Sequence, residues 1–340
     1  MRHSYVLAAL AGAAALSLVP ASQAGASPVR AATPTALPSI PWGIDYVHNG
    51  VDATGQIVAN DIARTKADDG GLVPPLVDVL NDMLEGSGGT NGLSDPTFPA
   101  AQARAIVNAG ATPMLTTQWT DNLAGITSNN GNNDRAVLTK WAKAAYNFDN
   151  HHTILIRPWR ELNGNWYPWG VPNVGATEYV KAWRDAYDII HPIAPNVLWV
   201  WNVATGGSDT NYAAAYPGDA YVDYTSFDSY VGNKGKAWTA TQPTYNALAH
   251  LGSGTKPIMV PEFSIYTSVP GLTDAARAAW ITSTFADAAC EQPRVVSMDW
   301  FNGQGPPDGS AEFDAPGWPR SEAAFDKAID HPVYSCPREP

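Results

Sequence analysis

The 340-residue sequence predicts an α/β fold, a single (β/α)8 TIM barrel, and three observations carry that expectation. Short β-rich runs alternate with helical segments along most of the chain, the order that builds a parallel sheet. Those runs are apolar on both faces, as strands covered by helices are. About 300 residues follow Pro41 with no second low-complexity linker, an ordinary length for one such barrel. An open, doubly wound sheet is the lesser alternative. Neither a G-x-G-x-x-G turn nor a P-loop occurs to give such a sheet its usual nucleotide-binding reason.

The strand runs are Trp42–Val47, Thr112–Gln118, Thr153–Ile156, Asn196–Trp201, Val222–Phe227, Pro257–Val260 and Val295–Trp300. An eighth belongs between Val58 and Leu93, where Gly- and Pro-rich sequence hides it. Between the runs, helical spacing is clearest after Asn133-Asp134 (Val137, Leu138, Trp141, Ala144 and Ala145). It recurs over residues 175–190 through Tyr179, Trp183, Tyr187 and Ile190. Residues 272–289 show it again, with Thr273-Asp274 as the start signal, and Ala100–Asn108 reads as a helix ended by Gly110.

Residues 1–24 have a basic start, an apolar stretch and small residues at signal-peptidase spacing, so they read as a secretory signal. Residues 25–41, rich in Pro, Ala, Ser and Thr, read as a spacer. The barrel then occupies 42–340, and a secreted, extracellular location is expected. In an exported protein the two cysteines, Cys290 and Cys336, read as a disulfide. It would close a loop of about 45 residues, worth roughly 3–4 kcal/mol in the chain-entropy view. The formal charge of −12 argues against nucleic acid or an anionic membrane as partner. With 13 Trp and 14 Tyr but only 15% charged residues, some rings are expected to face a ligand, and sugars stack on rings. The histidines are scattered, without metal-ligand spacing, so no metal site is expected. No Gly-x-Ser-x-Gly elbow is present.

Chemistry in this fold sits at the C-terminal ends of the strands. Of the glutamates after the signal, Glu85, Glu178, Glu291, Glu312, Glu322 and Glu339 fall in helices, loops or the tail. Glu161 and Glu262 instead follow apolar strands directly, the fourth and the seventh when the hidden strand is counted second. These positions face one another across a barrel mouth, and glycoside hydrolysis needs two carboxyls facing one anomeric carbon. The ordinary alternative is that each caps a helix or pairs with an arginine. Against it stands the run Arg157-Pro-Trp-Arg-Glu-Leu-Asn-Gly-Asn-Trp-Tyr-Pro-Trp-Gly170, dense in rings and hydrogen-bonding groups.

That run resembles the acid/base segment of glycoside hydrolase family 26, roughly Arg-Pro-x-His-Glu-x-Asn-Gly-x-Trp-x-x-Trp-Gly. The resemblance continues through Asn196–Asn202, Tyr216–Asp219, Val222–Tyr224, Asp228-Ser229-Tyr230 and Lys256–Phe263, extending from about Gly131 to Asn302. It implies a retaining (β/α)8 enzyme without a cofactor, acting on a polysaccharide, most commonly as an endo-β-1,4-mannanase; a monomer is expected because nothing in the sequence suggests an obligate oligomer. Glu161 becomes the acid/base and Glu262 the nucleophile, oriented by Arg157 and Tyr230. Trp166, Trp300 and Trp119 become sugar-stacking residues, and Asp228 a contact to substrate or to the groups behind it. Arg160 departs from the pattern, because the family has His there, at a position expected to reach the 2-hydroxyl of the sugar being cleaved. The departure keeps a β-glucanase or β-xylanase open, and an inactive carbohydrate-binding barrel beside them.

Overall fold

Each apolar run becomes a strand, and the strands pair side by side in sequence order. They are β1 (Gly43–Tyr46), β2 (Leu76–Asn81), β3 (Thr112–Thr117), β4 (Ile154–Pro158), β5 (Val197–Ala204), β6 (Tyr224–Val231), β7 (Ile258–Ile265) and β8 (Val295–Asn302). All pairings are parallel, and β8 returns to β1 with Gly43 opposite Asp299, closing the barrel. The computed structural model describes residues 42–46, 54–81, 98–117, 123, 134–231, 238–305 and 309–330, all within the unit Leu37–Pro340.

The hidden strand is β2. Gly70-Gly71 and Pro74-Pro75 before it explain why it reads as loop, and its own middle residue is Asp78. That carboxylate breaks the apolar run because it points into the barrel, where a partner awaits it.

Two apolar regions hold the barrel. Inside, Leu76, Met114, Leu155, Leu198, Val200, Tyr224 and Met259 form one cluster in the first halves of the strands. Outside, Val77, Val79, Leu115, Ile154, Ile156, Trp199 and Trp201 face the helices in a larger one. The period-two alternation that fills both regions also lifts the next inward residues, Asp78, Thr116 and Arg157, towards the C-terminal mouth. The interior is therefore apolar below and charged above.

The helices between strands include α1 (Gln56–Asp68), α2 (Ala100–Ala109), α3 (Asp134–Asn147), α4 (Ala176–Ile190), α5 (Gln242–Ala249), α6 (Asp274–Glu291) and α7 (Pro319–Ile329). Gly110 ends α2 at φ 92°, a left-handed conformation that glycine adopts at little cost, and its N–H returns to the Val107 carbonyl. Thr273 opens α6 by accepting the Ala276 N–H at 3.2 Å. Among the described residues no helix is long and apolar enough to cross a membrane.

Several strands run further than their apolar cores. β5 reaches Ala204, β6 Val231, β7 Ile265 and β8 Asn302. Glu262 consequently lies inside β7 rather than just after it. The ladder to β8 shifts register between Val260 and Phe263, where Pro261 has no N–H to give. A bulge at that point re-aims the following side chain, here Glu262, into the mouth.

Candidate active site

The segment after β4 continues along β5 rather than leaving as a free loop. Leu162 N–H reaches the Asn202 carbonyl at 3.3 Å, and Asn163 pairs through its side chain with both the N–H and the carbonyl of Ala204. Gly207 leaves the space for this, since a Cβ there would lie 2.0 Å from the Asn163 amide nitrogen. Within the segment Trp159 and Glu161 both have positive φ, 50° and 51°. Such values in residues with a side chain are held only by strong surroundings. The Trp159 ring is locked outside the barrel against Tyr179 and Trp183. Glu161 is directed to the mouth, its N–H donating to Asn202 Oδ1 at 2.7 Å.

Arg157, at the end of β4 and fully buried, is the hub of the site. Its Nε donates to Thr116 Oγ1 at 2.7 Å, Nη1 to both oxygens of Asp228 at 3.0 Å, and Nη2 to Asp78 at 3.0 Å and to Glu262 Oε1 at 2.5 Å. Asp45 Oδ2 stands 3.9 Å from the same Nη2. Tyr230 donates its hydroxyl to Glu262 Oε2. Arg160 Nε is 3.9 Å from Glu262 Oε1. The Arg160 guanidinium lies over the Tyr167 ring at 4.7 Å, which stacks on Trp169, whose Nε1 donates to the Arg160 carbonyl.

The two glutamates are thereby driven apart in acidity. Burial works to raise Glu262, but Arg157, then Arg160 and the Tyr230 hydrogen bond, more than offset it and hold the carboxyl below its ordinary range. Glu161 is pushed up to about 7, first by burial and next by the charge of Glu262, against the hydrogen bond from Trp166 and the attraction of Arg160. Asp78 is raised to about 6 by burial. Asp45 is raised by burial, then by Asp78 and Glu262, and neither of its oxygens has a hydrogen bond among the described residues. One guanidinium cannot neutralise every carboxyl around it, so burial shifts Asp45 and Asp78 towards the protonated form. Of the two glutamates, Glu262 is thus held towards the ionised form, while Glu161 keeps a proton up to about pH 7.

Most of the expected site residues meet here. Glu161, Glu262, Arg157, Arg160 and Tyr230 share one cluster. Trp166 is 47% exposed and donates from Nε1 to Glu161 Oε2 at 2.7 Å. Asp228 is buried behind the pair, gripped by Arg157 and Asn202, and so belongs to the supporting layer rather than the sugar-facing one. Trp300 is a correction. It follows the inward-facing Asp299, so the strand's alternation turns its ring outwards. There it is fully buried against Phe263, Trp280 and Phe325, with Nε1 donating to the Ala311 carbonyl. The ring at the mouth is Phe301, two residues on from Asp299, partly exposed and edge-on to Tyr230 at 5.2 Å. Trp119 and Cys336 lie outside the described residues.

The sequence reading missed Asn202, Asp78, Asp45, Thr116 and Phe301. For Phe301 the signal was present in the period-two pattern of β8. Among the described residues no group of three or more His, Cys, Asp and Glu side chains is placed to hold a metal ion.

The fold and the site define a (β/α)8 barrel with one glutamate just after its fourth strand, raised in pKa, and another within its seventh, lowered. Residues 99–262 match the family model described as glycosyl hydrolase family 26. The chain is 32% identical over 225 residues to endoglucanase H of Acetivibrio thermocellus, which covers 62% of this chain and 24% of that protein. It is also 32% identical over 127 residues to mannan endo-1,4-β-mannosidase A and B of Caldalkalibacillus mannanilyticus, covering 34% of this chain and 24% of that one. The chain thus spans about a quarter of the length of these two relatives. An endo-β-1,4-mannanase structure from Cellulomonas fimi has the same fold, with a TM-score of 0.61 at 19% identity over 88% of this chain and 76% of that one. Over residues 99–262 the chain is thus similar to glycosyl hydrolase family 26.

Proposed function

We propose that the protein is a retaining glycoside hydrolase that cleaves a β-1,4-linked polysaccharide by double displacement, with mannan as its first substrate. The observation that carries this reading is that one mouth holds Glu262 against Arg157 and Tyr230 and Glu161 against Trp166, surroundings that lower the first carboxyl and raise the second. Glu262, ionised and oriented by Arg157 and Tyr230, attacks the anomeric carbon. Glu161, protonated, gives its proton to the departing glycosidic oxygen. Once Glu262 is esterified its charge is gone, and with it the second-largest cause of the raised Glu161 pKa. Glu161 then falls towards an ordinary carboxylate and accepts a proton from the water that releases the sugar. Trp166, exposed beside Glu161, offers a stacking face to the leaving-group side, and Arg160 lies against the sugar under attack.

Mannan is supported by the mannosidase similarity and by the family. A second reading, β-1,4-glucan, is favoured by the longer similarity to endoglucanase H and by Arg160 where the family pattern has His. Export through residues 1–24 and a Cys290–Cys336 disulfide complete the proposal, on the grounds of the sequence pattern alone.

Reducing-sugar release from galactomannan, glucomannan, barley glucan and β-1,3-xylan tests both readings. Release from galactomannan is expected, and Glu262→Ala should lower it by at least about 10⁴-fold. Release from barley glucan alone replaces mannan by the second reading, and an active Glu262→Ala variant removes the assignment.

A further inference from the structure

Four hydrogen bonds in series connect the proposed acid/base to the proposed nucleophile through a residue outside the carboxylate pair. Asn202, on β5, receives the Glu161 N–H on Oδ1 at 2.7 Å and the Leu162 N–H on its backbone carbonyl. Its Nδ2 donates to Asp228 Oδ1 and to Ser226 Oγ, both at 3.0 Å. Asp228 is held by Arg157, and Arg157 holds Glu262. The orientation of the carboxamide is fixed by its neighbours. The Glu161 amide can only donate, so the atom facing it is the oxygen. The Ser226 hydroxyl gives its proton to the Trp201 carbonyl at 3.1 Å and so accepts from the nitrogen.

The geometry points to Asn202 as a positioning residue for proton transfer: its side-chain oxygen fixes the strained backbone of Glu161, while Arg157 grips Asp228 and Glu262 through bonds of its own. Glu161 needs such an anchor because its φ of 51° is unfavourable for a residue with a side chain. Asn202 is fully buried, so it acts through the backbone of Glu161 rather than by touching the sugar. A misplaced acid loses proton donation while the nucleophile retains its attack. The inference rests on the assignment of Glu161 and Glu262 proposed above.

That separation is measurable. A 2,4-dinitrophenyl leaving group departs without a proton, whereas phenol needs one. The full chain and Asn202→Leu are compared on 2,4-dinitrophenyl and phenyl β-mannobiosides, with the β-cellobiosides in parallel. Asn202→Leu should lose about a hundredfold in kcat/KM on the phenyl glycoside and less than about threefold on the dinitrophenyl one, the margin of a lost general acid. Asn202→Asp keeps an oxygen facing the Glu161 amide and should hold the wild-type ratio of the two rates. Asn202→Ser is read in the same way if Asn202→Leu does not fold. Equal losses on both leaving groups, or no loss on either, overturn the role. A folded wild-type chain that cleaves neither aryl series nor any of the polymers brings down the catalytic reading itself, and this inference with it.

Discussion

Glu161 and Glu262 are the same side chain, and the residues around them decide which carries a proton. Glu262 has two guanidinium groups and a tyrosine hydroxyl, while Glu161 has an indole N–H and a buried neighbour of like charge. Because Glu161 must be protonated to act as an acid, kcat/KM is expected to fall as pH rises through about 7. The acid limb should lie below the ordinary carboxylate range, where Glu262 takes up its proton. A pH–rate profile checks both limbs. The raised value also bears on stability. A carboxyl that holds its proton more tightly in the folded chain than in the unfolded one opposes folding when it ionises, so stability is lost as pH rises through about 7. Glu161→Gln, which stays neutral, should therefore melt higher than wild type at pH 8 and close to it at pH 5. The two glutamates were legible in the sequence because each follows an apolar run in a glutamate-poor chain. Trp300 was misplaced because its reading rested on resemblance, while the alternation set by Asp299 turns it outwards. Asn202, Asp78 and Asp45 could not be found from spacing, since each reads as a polar break in a strand until its partner on another strand is known.

At the scale of elements, what broke the sequence pattern is what serves the site. β2 was hidden by the Gly- and Pro-rich residues before it and by Asp78, which faces Arg157, and β7 appeared to stop at Val260 because Pro261 and Glu262 lie within the shift in its ladder. Helix starts were more legible. Thr273-Asp274 opens α6 as expected, but Asp274 also has a second task that no local pattern carries. Its carboxylate accepts the Arg320 and Ser321 N–H groups, each at 2.9 Å, and the Ser321 hydroxyl at 2.8 Å, capping the first turn of α7. That helix brings Phe325 against Trp300, Phe285 and Phe313. Asp274→Ala should cost about 1–2 kcal/mol by denaturant unfolding, the worth of a strong cap. Activity at low temperature should change little, because the loss lies on the outer layer.

Across the whole barrel, the closed order β1 to β8 was legible because period-two and helical patterns are local and repeat along the chain. The site was legible only in its loudest members, because closure gathers it from separate strands: Asp45 from β1, Asp78 from β2, Thr116 from β3, Arg157 from β4, Asn202 from β5, Asp228 and Tyr230 from β6, and Glu262 from β7. What links them is a set of hydrogen bonds around one buried arginine, and no sequence spacing encodes that. The central claim is that Glu262 becomes covalently bonded to the sugar. It is tested most directly by incubating the full chain with 2,4-dinitrophenyl 2-deoxy-2-fluoro-β-glycosides of the manno and gluco series and mapping the labelled peptide by mass spectrometry. One added glycosyl group per chain, on the peptide containing Glu262 and absent in Glu262→Ala, is the predicted result. A label on another residue, or turnover of the natural polymer with inversion at the anomeric carbon, would contradict it.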